Sequence, residues 1–112
     1  MMPEYKMVVL SNPVAGREDE YNDWYQNTHL GDIVSLPGFK SARRFKLADG
    51  MVVPDPYRYM AVYEIETDDL DATLKGLIES AENGTIYVSD TLDSDNAYAV
   101  IYEACGEEVT GY

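Results

Sequence analysis

Trp24 and His29, the chain's single tryptophan and single histidine, lie five positions apart in the stretch EYNDWYQNTHLGDIVSLPGF, which covers residues 20–39. A neutral imidazole offers one hydrogen-bond donor and one acceptor, and its unperturbed pKa of about 6.5 suits it to exchange protons at neutral pH. His29 is therefore a candidate general acid or base, and Trp24 a candidate wall of a ligand pocket. Both residues can instead be interpreted as packing side chains of the core.

Helical spacing sets where these two side chains point. In an α-helix, residues five positions apart lie about 140° from each other around the axis. If Trp24 points into the core, His29 lies on the flank of an aromatic stripe that includes Tyr21 and Tyr25. Burial there would favour the neutral imidazole, whereas the helix C-terminus and Asp32 would favour the charged form. We expect burial to decide the pKa of His29.

Further polar residues are candidate ligand-binding groups. Asn12 follows the first predicted strand, and its amide suits either a substrate oxygen or a simple turn before Pro13. Arg44 suits an anionic or carbonyl oxygen, with charge balance on an acidic surface as the alternative. The phenol of Tyr63 and the carboxylate of Asp90, in a long polar loop, complete the set. Sheet packing and an Asx turn are the alternative roles of these last two residues.

Strands and helices must position these residues. Apolar alternation predicts strands over 5–11, 39–47, 57–66 and 97–105. Helical spacing predicts one helix over 17–35, which ends before Pro37, and a second that begins at a cap on Thr67 and ends at Asn83. A hairpin connection is predicted over 48–56. The hairpin-like spacing of the second and third strands disfavours a parallel sheet, and the helices disfavour a β-sandwich.

The order strand, helix, strand, strand, helix, strand predicts an α+β fold: a single ferredoxin-like domain over residues 1–112 with a four-stranded antiparallel sheet. In that arrangement both helices cover one face of the sheet. Three of the four strands are apolar on both faces, so the other face would leave a large apolar surface in water. A second copy of the chain would cover it, which predicts a homodimer that closes around a shared cavity.

Composition excludes several classes of partner. The chain has 21 acidic and 8 basic residues, a formal charge of −13, which repels nucleic acid and anionic membranes. No apolar run approaches the roughly 20 residues that span a bilayer. The N-terminal residues show no export signal and Cys105 is the only cysteine, so we expect a cytoplasmic protein. One histidine without clustered cysteines falls short of a zinc or iron site, and we expect no metal and no cofactor.

Four segments give the chain a resemblance to a known group: SNPVAG, EDEYNDWYQNTHL, LPGFKSARRF and SDTLDSDNAYAVIYE. They resemble EthD-like proteins of the dimeric α+β barrel superfamily, over nearly the whole chain. The resemblance implies a homodimer with a small apolar cavity in each subunit, between sheet and helices or facing the barrel interior. The superfamily includes cofactor-free monooxygenases, cyclases, isomerases, haem-degrading enzymes and stress-induced proteins, so the fold does not settle the reaction.

These observations lead to three hypotheses of function. The first is a cofactor-independent enzyme, of lyase, isomerase, cyclase or oxygenase type, that acts on a small apolar or aromatic oxygenated metabolite through proton transfer by His29. The second is a non-catalytic small-molecule-binding or stress-associated homodimer, which requires no chemistry from His29. The third is an assembly module whose cavity is filled by side chains.

Overall fold

The computed structural model describes residues 2–48 and 57–111. The hairpin connection predicted over 48–56 lies outside the described residues from position 49 onward. Four strands are present: β1 (Glu4–Ser11), β2 (Phe39–Lys46), β3 (Tyr59–Glu66) and β4 (Tyr98–Glu103). Between β1 and β2, α1 (Glu18–Trp24), a π-helical turn (Tyr25–His29) and α2 (Leu30–Val34) follow one another without a break, and together they are called the first helix. The second helix is α3 (Leu70–Glu82).

The four strands form one sheet in the order β2-β3-β1-β4. Every neighbouring pair is antiparallel, with β1 and β3 at the centre. This order, together with the helices after β1 and β3, is the ferredoxin-like βαββαβ arrangement. The predicted α+β fold with a four-stranded antiparallel sheet is therefore confirmed.

The core lies between the first helix and one face of the sheet. Strand β3 shows the period of two most clearly, because Tyr59, Ala61, Tyr63 and Ile65 are all buried whereas the residues between them are partly exposed. The first helix contributes large apolar side chains at helical spacing: Tyr21, Trp24, Tyr25, Leu30 and Ile33. Leu77 of α3 packs against this same core, although no residue of α3 is fully buried.

The π-helical turn corrects the prediction of a regular α-helix over 17–35. Five residues, Tyr25–His29, form the wider turn, in which backbone bonds span five residues rather than four. One residue more than in an α-helix is accommodated without breaking the helix. Trp24 and His29 therefore do not lie 140° apart, and both are buried on the same side of the helix.

Strand β2 departs from strict alternation at its start. The register with β3 shifts between Phe39 and Ser41, which marks a β-bulge. Strict alternation along this strand would put Phe39 on the same face as Arg43, but the bulge moves Phe39 to the helix side, where it is buried. Beyond the bulge Arg43 and Arg44 lie on opposite faces, and Arg44 is on the helix side.

The face of the sheet opposite the helices carries apolar residues in register across all four strands. The middle row joins Val100, Val8, Val62 and Arg43, and the row beside it joins Tyr98, Leu10, Met60 and Phe45. These two rows are called the open face. Tyr98 is 48% exposed and Phe45 41% exposed, so the described residues of this chain leave the face in contact with solvent.

Capping of α3 differs from the prediction by two residues. Asp69, not Thr67, is the N-cap, and its carboxylate accepts a hydrogen bond from the Ala72 N–H at 3.1 Å. The hydroxyl of Thr67 accepts from the Asp69 N–H and so supports the cap from outside the helix. The C-terminal end is as predicted, with Asn83 as the C-cap and Gly84 at a φ of 82°. Among the described residues no helix is long and apolar enough to cross a membrane.

Candidate functional site

Tyr25 is the centre of a cluster of rings that includes both residues singled out from the sequence. Its ring centroid lies 5.1 Å from that of Trp24 and 5.0 Å from that of His29, with an edge contact in each case. The imidazole of His29 is tilted by 31° from the Trp24 indole at a centroid distance of 4.5 Å. His29 therefore sits in a largely apolar aromatic environment.

Burial controls the protonation of His29. The residue is 9% exposed, and desolvation lowers its pKa to about 4, against an opposing contribution from the Asp32 carboxylate and the backbone of Tyr87. The imidazole is consequently neutral at neutral pH. Among the described residues, no hydrogen-bond partner reaches its buried Nδ1. A buried polar atom without a partner costs about 1–3 kcal/mol, so this nitrogen is a costly feature to retain in a core.

The segment after α3 closes the site from the side of the helix. The indole Nε1–H of Trp24 donates to the carbonyl oxygen of Tyr87 at 3.3 Å, and the backbone of Tyr87 also interacts with His29. Ile86 is buried beside them. The segment is held at its far end, because the Val14 N–H donates to the Thr91 carbonyl oxygen at 2.7 Å. Residues 84–92 thus cover the aromatic cluster.

Two phenols meet beneath this cluster. The hydroxyl of Tyr63, a residue with no exposed surface, donates to the hydroxyl of Tyr25 at 3.5 Å, the outer limit of a hydrogen bond. Burial raises the pKa of Tyr25 to about 12 and raises the pKa of Tyr63 as well. Both phenols therefore keep their protons at neutral pH and act as hydrogen-bond donors or acceptors.

Arg44 reaches the same cluster from β2. Its guanidinium carbon lies 5.0 Å from the ring centroid of Tyr25, 5.1 Å from that of Tyr59 and 5.5 Å from that of Tyr21. Its Nη2 donates to the amide oxygen of Asn22 at 2.6 Å. Arg44 and His29 each lie 5.0 Å from the Tyr25 centroid, so they are at most twice that distance apart.

The structure brings together four of the six site residues predicted from the sequence. Trp24, His29, Tyr63 and Arg44 all contact Tyr25. The other two lie elsewhere, one at the end of β1 and one in the segment after α3.

Asn12 and Asp90 make structural contacts outside this cluster. The amide oxygen of Asn12 accepts the backbone N–H of Arg58 at 2.8 Å, which ties the end of β1 to the approach to β3. The carboxylate of Asp90 is 80% exposed and pairs with Arg17 at 3.0 Å. Neither residue has a described contact with His29.

Sequence reasoning assigned no role in the site to three residues that build it. Tyr25 was recognised as part of the aromatic stripe, but its position four residues before His29 was the signal of a central role. Asn22, which orients Arg44, belongs to the polar flank of the same helix. Tyr87 contributes its backbone carbonyl, and because every residue has one, the residue type gives no signal for this contact.

Three clefts lie on or near the sheet, and His29 lines none of these three. One of about 540 Å³ occupies the open face between β2 and β3, beside Arg43, Phe45, Met60 and Val62. Another of about 620 Å³ lies at the opposite end of the strands, and its lining includes Glu4, Glu64 and Glu66. The third, of about 250 Å³, lies at the end of the sheet near Tyr57. In residues 2–48 and 57–111, histidine, cysteine and carboxylate side chains form no group of three or more that would hold a metal ion.

Comparison with known proteins finds solved structures with a similar fold. No family model matches the sequence, and no curated protein matches it. A proposed monooxygenase from Shewanella loihica PV-4 superimposes with a TM-score of 0.62 at 14% identity, over 96% of this chain and 99% of that one. An ethyl tert-butyl ether D (EthD) family protein from Bacillus halodurans C-125 gives a TM-score of 0.57 at 15% identity, over 96% and 100% of the two chains.

A protein from Arabidopsis thaliana gives a TM-score of 0.64 at 15% identity, over 95% of this chain and 98% of that one. All three likenesses extend over almost the full length of both chains, but identities this low show the fold alone. The fold of this chain is therefore shared with an EthD family protein, the group that the sequence segments resemble.

Proposed function

We propose that the protein is a cofactor-independent enzyme that acts on a small apolar or aromatic oxygenated metabolite, with His29 as the group that exchanges a proton with the substrate. The observation that carries the proposal is the buried, neutral imidazole whose Nδ1 has no hydrogen-bond partner among the described residues. Trp24 and Tyr25 form the apolar walls around it, and Tyr63 adds a protonated phenol. A titratable group among apolar side chains is a usual feature of small-molecule sites.

The lowered pKa of His29 restricts the substrate. An imidazole with a pKa of about 4 is fully available as an acceptor at neutral pH but is a weak base. Efficient transfer therefore requires a substrate proton that is already acidic, such as that of a phenol, an enol or a carbon between two carbonyl groups. A substrate anion formed beside the ring would in turn favour the protonated imidazole and raise its pKa.

Access to His29 requires movement of the covering segment. The Tyr87 carbonyl is bonded to Trp24, and Ile86 is buried beneath it. Tyr87 and Val88 are 59% and 47% exposed, so movement of residues 87–88 breaks few packing contacts while Ile86 stays in the core. We assign this short stretch the role of a lid, which opens for the ligand and then excludes water.

The open face supports the homodimer that forms part of this proposal. Val8, Val62 and Val100 lie side by side across three strands, and the exposed rings of Phe45 and Tyr98 flank them. Burying this face against a second copy would gain about 25 cal/mol for each square ångström of apolar surface. The proposed enzyme is thus a cytoplasmic homodimer built from a single domain, with the His29 site on the helix side of each sheet.

The experiment that tests the proposed function begins with the ligand. Native mass spectrometry of protein purified directly from cells would identify a retained small molecule, which then serves to find the reaction. His29→Ala should abolish turnover of that substrate, whereas Gln26→Ala, an exposed residue of the same π-helical turn, should retain it. Full turnover by the His29→Ala protein would exclude the proton-transfer role.

A second function is favoured by the position of the clefts. The cleft of about 540 Å³ on the open face would face the interior of a dimer, and His29 does not line it. A non-catalytic dimer would hold a hydrophobic ligand there. In that case His29→Gln would keep ligand affinity and activity in the cell, whereas Val62→Lys, within the cleft, would abolish binding.

A further inference from the structure

We propose that Arg44 and the tyrosines around it bind an anionic oxygen of the ligand, a carboxylate, enolate or phenolate oxygen carried by a planar body. The inference rests on the proposed function, because it names the substrate class for the same cluster. It comes from a feature that proton transfer by His29 does not require: an arginine placed among aromatic rings on the helix side of the sheet.

The backbone provides the space for this arginine. Arg44 lies opposite Ala61 in the register of β2 and β3, and Ala61 is buried. The small side chain of Ala61 leaves room for the guanidinium to cross β3 toward the first helix. There it contacts Tyr21 and Tyr25. Arg44 itself stays partly exposed, so a ligand can reach it without unfolding the helix.

The charge of Arg44 has no direct counterion in the part of the chain that the structure describes. Its described partners are three aromatic faces, the Asn22 amide and the Tyr21 phenol. The nearby Glu18 carboxylate instead accepts from the Tyr59 hydroxyl at 2.5 Å and pairs with Arg58 at 2.9 Å. Lys40, Arg43 and Lys46 also have no ion pair among the described residues. What distinguishes Arg44 is that its unpaired charge lies against three aromatic rings.

The donors around Arg44 suit an oxyanion. A guanidinium has five N–H groups in a planar fork that matches a carboxylate or an enolate, and the Asn22 amide oxygen accepts from only one nitrogen, Nη2. The phenols of Tyr25 and Tyr63 keep their protons and lie within the same cluster. Donors held in fixed positions beside apolar rings stabilise negative charge better than mobile donors in bulk solvent.

Arg44 and His29 are placed so that both could act on one substrate. Both lie against the ring of Tyr25, at equal distances from its centroid. When a substrate C–H or O–H bond breaks, the proton forms an N–H bond at Nδ1 of His29 and the electron pair moves onto the substrate oxygen. Arg44 would hold that oxygen, and its charge would offset the weakness of His29 as a base.

A binding experiment can test Arg44 separately from catalysis. Trp24, the single tryptophan, lies in the cluster and reports ligand binding by its fluorescence. The probes are benzoate and its uncharged analogue benzamide, which share a planar ring. Benzoate should bind the wild-type protein, and Arg44→Gln should weaken its binding by at least about tenfold, the loss expected for one charge-assisted hydrogen bond. Benzamide binding should change by less than about twofold.

Arg43→Gln is the matched control, because it removes the same charge from the neighbouring residue on the opposite face of β2. Its dimer content is to be checked by sedimentation, and its benzoate affinity should equal that of the wild-type protein. Arg44→Lys keeps the charge but loses the fork, so it should recover only part of the affinity. The side-chain Nε–H signal of Arg44 in NMR spectra should shift with benzoate and not with benzamide.

Two results would overturn the inference. One is that the wild-type protein does not bind benzoate, and the other is that the wild-type and Arg44→Gln proteins bind benzoate with equal affinity. Loss of benzoate binding in Arg44→Gln together with full turnover by the His29→Ala protein would instead refute the proposed function and leave the anion site standing. The two proposals therefore fail separately.

Discussion

The imidazole of His29 lies against the indole of Trp24, with ring centroids 4.5 Å apart and a tilt of 31° between the planes. Residues five positions apart do not meet on a regular α-helix, where neighbours are three or four apart. The π-helical turn over Tyr25–His29 adds one residue to the turn between them and so brings the two rings to the same side. π-Helical turns are rare in proteins, but those that do occur are often found at functional sites. The presence of one here agrees with the role proposed for His29.

Burial of a neutral His29 should make stability depend on pH. The pKa of the folded-state imidazole is about 4, below its ordinary value of 6.5, so the unfolded chain binds more protons between these values. The contribution of His29 to stability should therefore be fully present above about pH 6.5 and be lost as the pH falls to 4, by about 3 kcal/mol over the full range. Urea unfolding of the wild-type protein and of His29→Gln at several pH values would measure this difference, since other titrating groups are common to both.

If the free energy of unfolding depended on pH equally in the two proteins, His29 would be solvated in the folded state. Because Gln does not titrate, the free energy of unfolding of the variant should rise relative to that of the wild-type protein as the pH falls.

Gly38 should be irreplaceable in the turn before β2. Its φ is 91°, and a Cβ at this position would lie 2.8 Å from Cγ2 of Thr73 in α3. We expect Gly38→Ala to reduce the free energy of unfolding by about 1–2 kcal/mol or more. Gly76→Ala is the matched control, because Gly76 lies within α3 and a Cβ there meets nothing within 4 Å. That change should be stabilising, by about 0.5–1 kcal/mol.

A charge in the middle of the open face should dissociate the proposed dimer. Val62 lies between Val8 and Arg43 in the sheet register, so Val62→Lys would place a second positive charge beside Arg43 in the interface. Sedimentation velocity should show a dimer for the wild-type chain and a monomer for the variant. Ile78→Glu, which alters an apolar side chain of α3 that is 57% exposed, should remain a dimer. A wild-type monomer at micromolar concentration would contradict the proposed assembly.

Asp90 should contribute little to stability and nothing to the chemistry of His29. Its carboxylate is 80% exposed and its partner is Arg17, so Asp90→Asn should change the free energy of unfolding by less than about 1 kcal/mol. Turnover of the identified substrate should stay unchanged as well. A loss of turnover with unchanged stability would show instead that Asp90 serves as an acid on the covering segment.

The fold could be predicted from the sequence because its elements follow simple periods. The alternation in β3 matches the buried set of Tyr59, Ala61, Tyr63 and Ile65, and the C-terminal end of α3 agrees with its turn signal. The π-helical turn and the β-bulge after Phe39 could not be predicted, since each inserts one residue into a regular period. Only packing against the rest of the chain decides whether such an insertion is tolerated.

The site was predictable only in part. Residue chemistry pointed to His29, Trp24 and Arg44, and the structure places all three against Tyr25. The contribution of Tyr87 comes from its carbonyl group, so residue type carries no signal for it. Whether a polar residue such as Asp90 reaches the site depends on the path of a long loop, which local sequence does not determine.

The most direct test of the account is an NMR titration of the single histidine ring. If His29 is buried and neutral beside Trp24, as described, its C–H signals should titrate with a midpoint near 4 and stay constant above about pH 6. A midpoint near the ordinary value of 6.5 would show a solvated imidazole and would contradict the proposed site.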